Sequence, residues 1–156
     1  MAINRLSSAL CPSYGGRVEE AIAMCNFGLA GVSAISCEAR AGDPEKALGQ
    51  YADLIDHWHR AGAWNMQWIT LRTLIELLAR LGRDVEAARL YGAMTASATA
   101  PPVAGSDATR IAEAVATMRS RLGDEQFEVV RAEGSALSDG EAVRYALGCV
   151  GRGRAG

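Results

Sequence analysis

One phrase opens three segments of this chain at nearly constant spacing: AGDPEKA from Ala41, LGRDVEAA from Leu81 and LGDEQFE from Leu122. Their glycines, Gly42, Gly82 and Gly123, stand 40 and 41 residues apart. A period in that range is the mark of stacked helix pairs, because one helix hairpin cannot bury its own apolar face and needs a neighbour on each side. The fold expected is therefore all-α, an antiparallel helix-hairpin array of about six to eight helices.

Local signals place the helices. Asp43-Pro44 supplies a capping carboxylate followed by proline at the first helical position. Ala47, Leu48, Tyr51, Leu54, Ile55 and Trp58 then recur at helical spacing until Gly62. From Trp64, the set Trp68, Leu71, Leu74, Ile75, Leu78 and Leu81 forms the broadest apolar stripe, which predicts a central helix packed on two sides. Gly82 stops it. Asp84 is expected to cap the next helix, which carries Val85, Ala88, Tyr91 and Met94.

Pro101-Pro102 breaks the pattern, and a helix from Asp107 follows with Ile111, Val115, Met118 and Leu122 on one face. Asp124 is expected to cap a short helix ending near Gly134. Ser138-Asp139-Gly140-Glu141 has the spacing of a capping box and predicts a last helix to about Leu147. No segment alternates with a period of two, so no sheet is expected. The chain divides into a poorly ordered N-terminus at residues 1–16, helical hairpins at 17–96, a proline-containing loop at 97–106, further helices of the same domain at 107–148, and a disordered tail at 149–156.

The net charge of −2 offers no general attraction to nucleic acid or anionic membranes. Neither a basic helix nor an Arg/Lys stripe stands out, so direct nucleic-acid binding is not expected. The most apolar run, Ala21 to Cys37, is shorter than the roughly 20 residues of a spanning helix and is broken by Asn26, Gly28, Gly31, Ser33 and Ser36. Without a signal-peptide pattern, the expected location is cytoplasmic, with no membrane partner. Cys11, Cys25, Cys37 and Cys149 follow no metal or redox spacing and read as reduced, structural thiols.

Chemistry is hard to find. The chain has no phosphate-binding GxxxxGK[ST] loop, no HExxH and no GxSxG elbow. Glu19-Glu20 and Asp124-Glu125 stand at helix starts, where dipole and capping roles account for them. His57 and His59 diverge by about 200° on a helix and cannot share one metal. No catalytic residue, cofactor or metal ligand is expected. The candidate interaction groove is instead Trp58, Trp64, Gln67, Trp68 and Arg72. Three tryptophans surround the Gly62 turn and either lock the hairpin or anchor a partner. Gln67 and Arg72 are polar positions on an apolar helix, and Arg72 is expected to meet Glu76 one turn on, or a partner's carboxylate.

The text DHWHRAGAWNMQWITLRTLIELLARLGRDVEAARLYGAM resembles the C-terminal, tetratricopeptide-like region of large bacterial regulators built on an AAA-like or STAND-type ATPase. Some members of that family carry an adenylate/guanylate cyclase domain, others a LuxR- or SARP-type DNA-binding domain. The similarity rests on Trp58, Gly62, Trp64, Gln67, Trp68, Leu71, Arg72, Leu77, Leu78, Leu81, Gly82 and Glu86 through Ala93, and towards the end on Phe127, Gly134, Leu137, Glu141, Ala142 and Ala146. It implies a helical sensor or interaction module of a transcription or signalling regulator, either part of a larger protein or standing alone.

None of the family's ATPase, cyclase or DNA-binding parts is found in these residues, so the resemblance carries neither ATP nor DNA binding. The partner expected is a protein or a neighbouring regulator domain, with a small ligand or a second copy covering the central stripe as alternatives. The rival class is the helical cap or subunit of an enzyme whose active site lies on another chain.

Overall fold

A computed structural model describes Ile35, Ala39, Arg40 and residues 42–153, and the expectations for residues 1–34, 36–38, 41 and 154–156 lie outside it. Six helices make up the described residues, with no strand among them: α1 (Pro44–Ala61), α2 (Trp64–Arg80), α3 (Asp84–Ala96), α4 (Gly105–Leu122), α5 (Asp124–Ser135) and α6 (Asp139–Gly153). The described residues form an all-α array of antiparallel hairpins.

The turns follow from their residues. Asp43 accepts hydrogen bonds from the amides of Glu45 (3.0 Å) and Lys46 (3.3 Å), meeting two of the donors that a helix start leaves open. Gly62 and Gly82 adopt left-handed φ of 65° and 75°. The amides just beyond them bond back to Trp58 and Leu78, the closure that lets a helix end abruptly. Ser138 and Glu141 cap each other reciprocally, amide to carboxylate at 2.8 Å and amide to hydroxyl at 3.3 Å.

Three expectations are corrected. Asp84 and Asp124 do not cap, because each is the first residue inside its helix, after Arg83 and Gly123. Asp84 is buried and pairs with Arg121 instead (3.3 Å). The proline loop is shorter than expected, since α4 begins at Gly105; the Asp107 carboxylate turns to Arg110 and Arg72 rather than capping. The last helix runs to Gly153, not to about Leu147. The helix continues past Gly148 and Gly151, with Cys149 and Val150 buried in the core and Arg152 paired with Glu86 (2.8 Å).

Packing sets which faces remain open. Helix α2 lies against α1, α3 and α4, and buries eleven of its residues, from Gln67 to Ala79. Its apolar stripe is thus covered within the chain except at Leu81, which is partly buried. Helices α3 and α5 cross most intimately, through Gly92 and Gly134. Helix α6 does not extend the stack. It turns back to pack on α1 and α3, closing the array onto its own first described helix.

Candidate functional site

The α1–α2 hairpin is pinned midway by the Tyr51 hydroxyl, which donates to Thr73 Oγ1 at 2.9 Å. Burial pushes the Tyr51 pKa up to about 12, so this donor keeps its proton. Around the Gly62 end, the five residues expected to line a groove do not form one open surface. Trp58, Gln67, Trp68 and Arg72 are 4%, 1%, 1% and 8% exposed, and only Trp64 is half-buried. His57 meets the Trp58 ring edge-on (centroids 4.7 Å apart), and His59 meets Trp64 in the same way (5.9 Å). The two histidines thus serve different tryptophans, as their angular divergence requires.

The polar atoms of this group are unevenly satisfied. Among the described residues, Trp58 Nε1 and both amide atoms of Gln67 have no hydrogen-bond partner. A buried amide left without a partner costs about 1–3 kcal/mol. Arg72 does form an internal ion pair, but with Asp107 on α4 (2.7 Å) rather than with Glu76. Glu76 faces Arg40 (3.6 Å) and Arg110 (3.8 Å). Burial holds its pKa above the usual carboxylate value, and these arginines only partly offset that. The shallow cleft of about 330 Å³ beside it, between α2 and α4, is lined by Arg80, Arg110, Glu113 and Arg121 as well. Arg80, Arg110 and Arg121 are already engaged, by the Ala39 carbonyl, by Asp107 and by Asp84 with the Ala79 carbonyl.

Trp68 leads to a contact that sequence reasoning missed. Its indole N–H donates to Thr99 Oγ1 (2.9 Å), and the Thr99 hydroxyl donates to Asp139 Oδ2 (2.6 Å). The Ser97 hydroxyl donates to the other Asp139 oxygen (2.7 Å). Asp139 is the first residue of α6, where a carboxylate also complements the positive end of the helix dipole. At the far end of α6, Arg83 donates to the Cys149 carbonyl (2.8 Å) and Arg152 to Glu86 (2.8 Å). Burial works to raise the Glu86 pKa, yet the bonds from Arg83 and Arg152 outweigh it and hold it below the usual value. These partners stand about 40 and 66 residues apart in the chain, too far for any local motif to announce them.

Between its two polar ties, α6 presents Ala142, Val143, Ala146, Cys149 and Val150 to the core, a narrow face of small side chains. The Cys149 thiol is pushed up to about 11 by burial and by the neighbouring Glu86, which keeps it protonated and unreactive at neutral pH. Among the described residues no group of three or more His, Cys, Asp or Glu is placed to hold a metal ion, and no helix is long and apolar enough to cross a membrane. Comparison of the chain with protein-family models, with curated proteins and with solved structures gave no match.

Proposed function

We infer that this chain is a non-catalytic helical interaction module of a signalling or transcription regulator, taking a partner protein or a neighbouring regulator domain on the face formed by α1 and α3. One observation carries the reading. That face already holds a helix, α6, by an apolar strip with a polar tie at each end. Helical arrays recognise their partners in this way, laying an amphipathic helix into a groove between parallel elements. The change in packing at α6 would then pass to α1 and α3, the two helices it touches.

A photoactivatable phenylalanine in place of Tyr145, which lies on α6 beside Arg89 of α3, tests this in the source cell. The expected result is a discrete covalent adduct that the same group placed at Glu113, in the cleft between α2 and α4, does not give. Equal adducts from both positions, or none, would remove the basis for the assignment. So would steady substrate turnover by the purified chain.

A further inference from the structure

We propose that α6 is an internal stand-in for the partner: a releasable helix that keeps the α1–α3 face closed, so that the face accepts an amphipathic helix built like α6 itself. The inference rests on the reading of that face as the partner site. Two independent features of α6 carry it.

The first is its glycines. Gly148 and Gly151 stand inside the helix with ordinary negative φ, and a Cβ added at either would meet nothing within 4 Å. Neither turn geometry nor close packing calls for glycine there. Glycine in a helix interior lowers its stability by roughly 0.5–1 kcal/mol relative to alanine, and here no contact offsets the loss. Gly92 and Gly134 differ, since the crossing of α3 and α5 leaves them no room for a side chain. Helix α6 is therefore held in place by docking far more than by its own propensity, which sets it among the elements that open before the whole fold does.

The second feature is the way it is docked. Its buried face is small, and its ends are fixed by hydrogen bonds and an ion pair at partly exposed positions. Polar ties of this kind exchange readily with water or with an equivalent group on another helix. The sockets they leave define the incoming helix. It carries an acid in its first turn for the Ser97 and Thr99 hydroxyls, Ala- to Val-sized residues at spacings 0, 1, 4, 7 and 8, and an arginine in its last turn for Glu86.

The test uses the full chain with Cys11→Ser, Cys25→Ser and Cys37→Ser, which leaves Cys149 as the one thiol, and a fluorescent peptide of residues 137–153 bearing Cys149→Ala. Three forms are compared: the parent, Asp139→Ala/Arg152→Ala, which cuts both ties from the α6 side, and Gly148→Ala/Gly151→Ala, which strengthens the α6 helix without touching the sockets. Iodoacetamide should reach Cys149 fastest in the first double variant and slowest in the second, with the glycine exchanges slowing it about tenfold. Peptide affinity should fall in the same order. The glycine variant stays informative even if the cut variant unfolds.

Equal Cys149 rates in the parent and the glycine variant would overturn the release of α6, whatever the face binds. Ordered Cys149 rates with no peptide uptake would show that α6 moves but that the face takes no second helix, which sinks the reading of the face itself. A concentration-dependent dimer by light scattering that exchanges α6 between copies would replace the partner helix with a second copy of this chain.

Discussion

Replacing Gly92 with alanine places a Cβ 2.0 Å from the Arg131 carbonyl oxygen, and replacing Gly134 places one 1.9 Å from the carbonyl of Arg89. Ordinary contact begins at 3.4 Å, so α3 and α5 must separate by about 1.4–1.5 Å to admit either methyl group. The obstacle is backbone inside two helices, which cannot turn aside as a flexible side chain would. The separation also loosens the seam that buries Ala88, Phe127 and Val130. Overpacking of this kind costs about 1–3 kcal/mol; with backbone as the obstacle the upper end applies, and the better helix propensity of alanine returns at most about 1 kcal/mol. Each single variant should therefore lose about 2–3 kcal/mol, or about 5–10 °C in Tm for a domain of this size.

The two sites sit on one crossing, so a single separation makes room for both methyl groups. The double variant should cost little more than the worse single one, a coupling of about 2 kcal/mol in a double-mutant cycle. Urea unfolding followed by circular dichroism measures all four proteins. Stability unchanged in Gly92→Ala, or strict additivity of the pair, would refute the close crossing of α3 and α5.

Other consequences are smaller or opposite in sign. Gln67→Leu fills the same space without a stranded amide and should raise stability by about 1–2 kcal/mol in the same urea assay; a loss of that size would mean that the amide has a partner after all. Asp43→Ala, which removes the acceptor of two amides, should cost about 1 kcal/mol, whereas Asp124→Ala, whose exposed carboxylate caps nothing and meets only Arg119, should cost less than half as much.

Glu76 and Glu86 should respond oppositely to acid. The folded pKa of Glu76 lies above its unfolded value, so the folded state binds the proton first, and the parent should gain on Glu76→Gln as the pH falls through the raised value towards the ordinary glutamate value near 4.3. The folded pKa of Glu86 lies below its unfolded value. Its contribution is complete above that value, and the parent's advantage over Glu86→Gln should vanish as the pH falls through the lowered one. Thermal melts across that range check both slopes.

What the sequence carried well was local. The Asp43-Pro44 start, the Gly62 and Gly82 stops and the Ser138–Glu141 box each act within a few residues, and all four are seen in the helix ends. The helical period of the α2 stripe likewise announced a central helix packed on two sides, and the helix meets three neighbours. The failures arose where distant contacts override local preference. The last helix reads as ending near Leu147, yet docking against α1 and α3 carries α6 on to Gly153. Asp84 reads as a cap until Arg121, 37 residues on, draws it into an ion pair inside the helix. Of the candidate site, residue type was legible and environment was not. The tryptophans and Gln67 do gather at one end of the hairpin, but their burial rests on contacts made along the chain, such as the bond from Trp68 to Thr99 and on to Asp139, which no spacing in the chain encodes.

Native-state hydrogen exchange, resolved by residue, addresses the helix-holding face most directly. Helix α6 docked on propensity-poor sequence should open on its own, so the amides of Ala146 to Val150 should exchange through a local event while those of Leu71 to Leu78 in α2 wait for global unfolding. Two separate opening free energies, with α6 the lower, are the predicted result. A single value shared by α6 and α2, falling together with denaturant, would show that α6 is a fixed part of the core and not an occupant that another helix can replace.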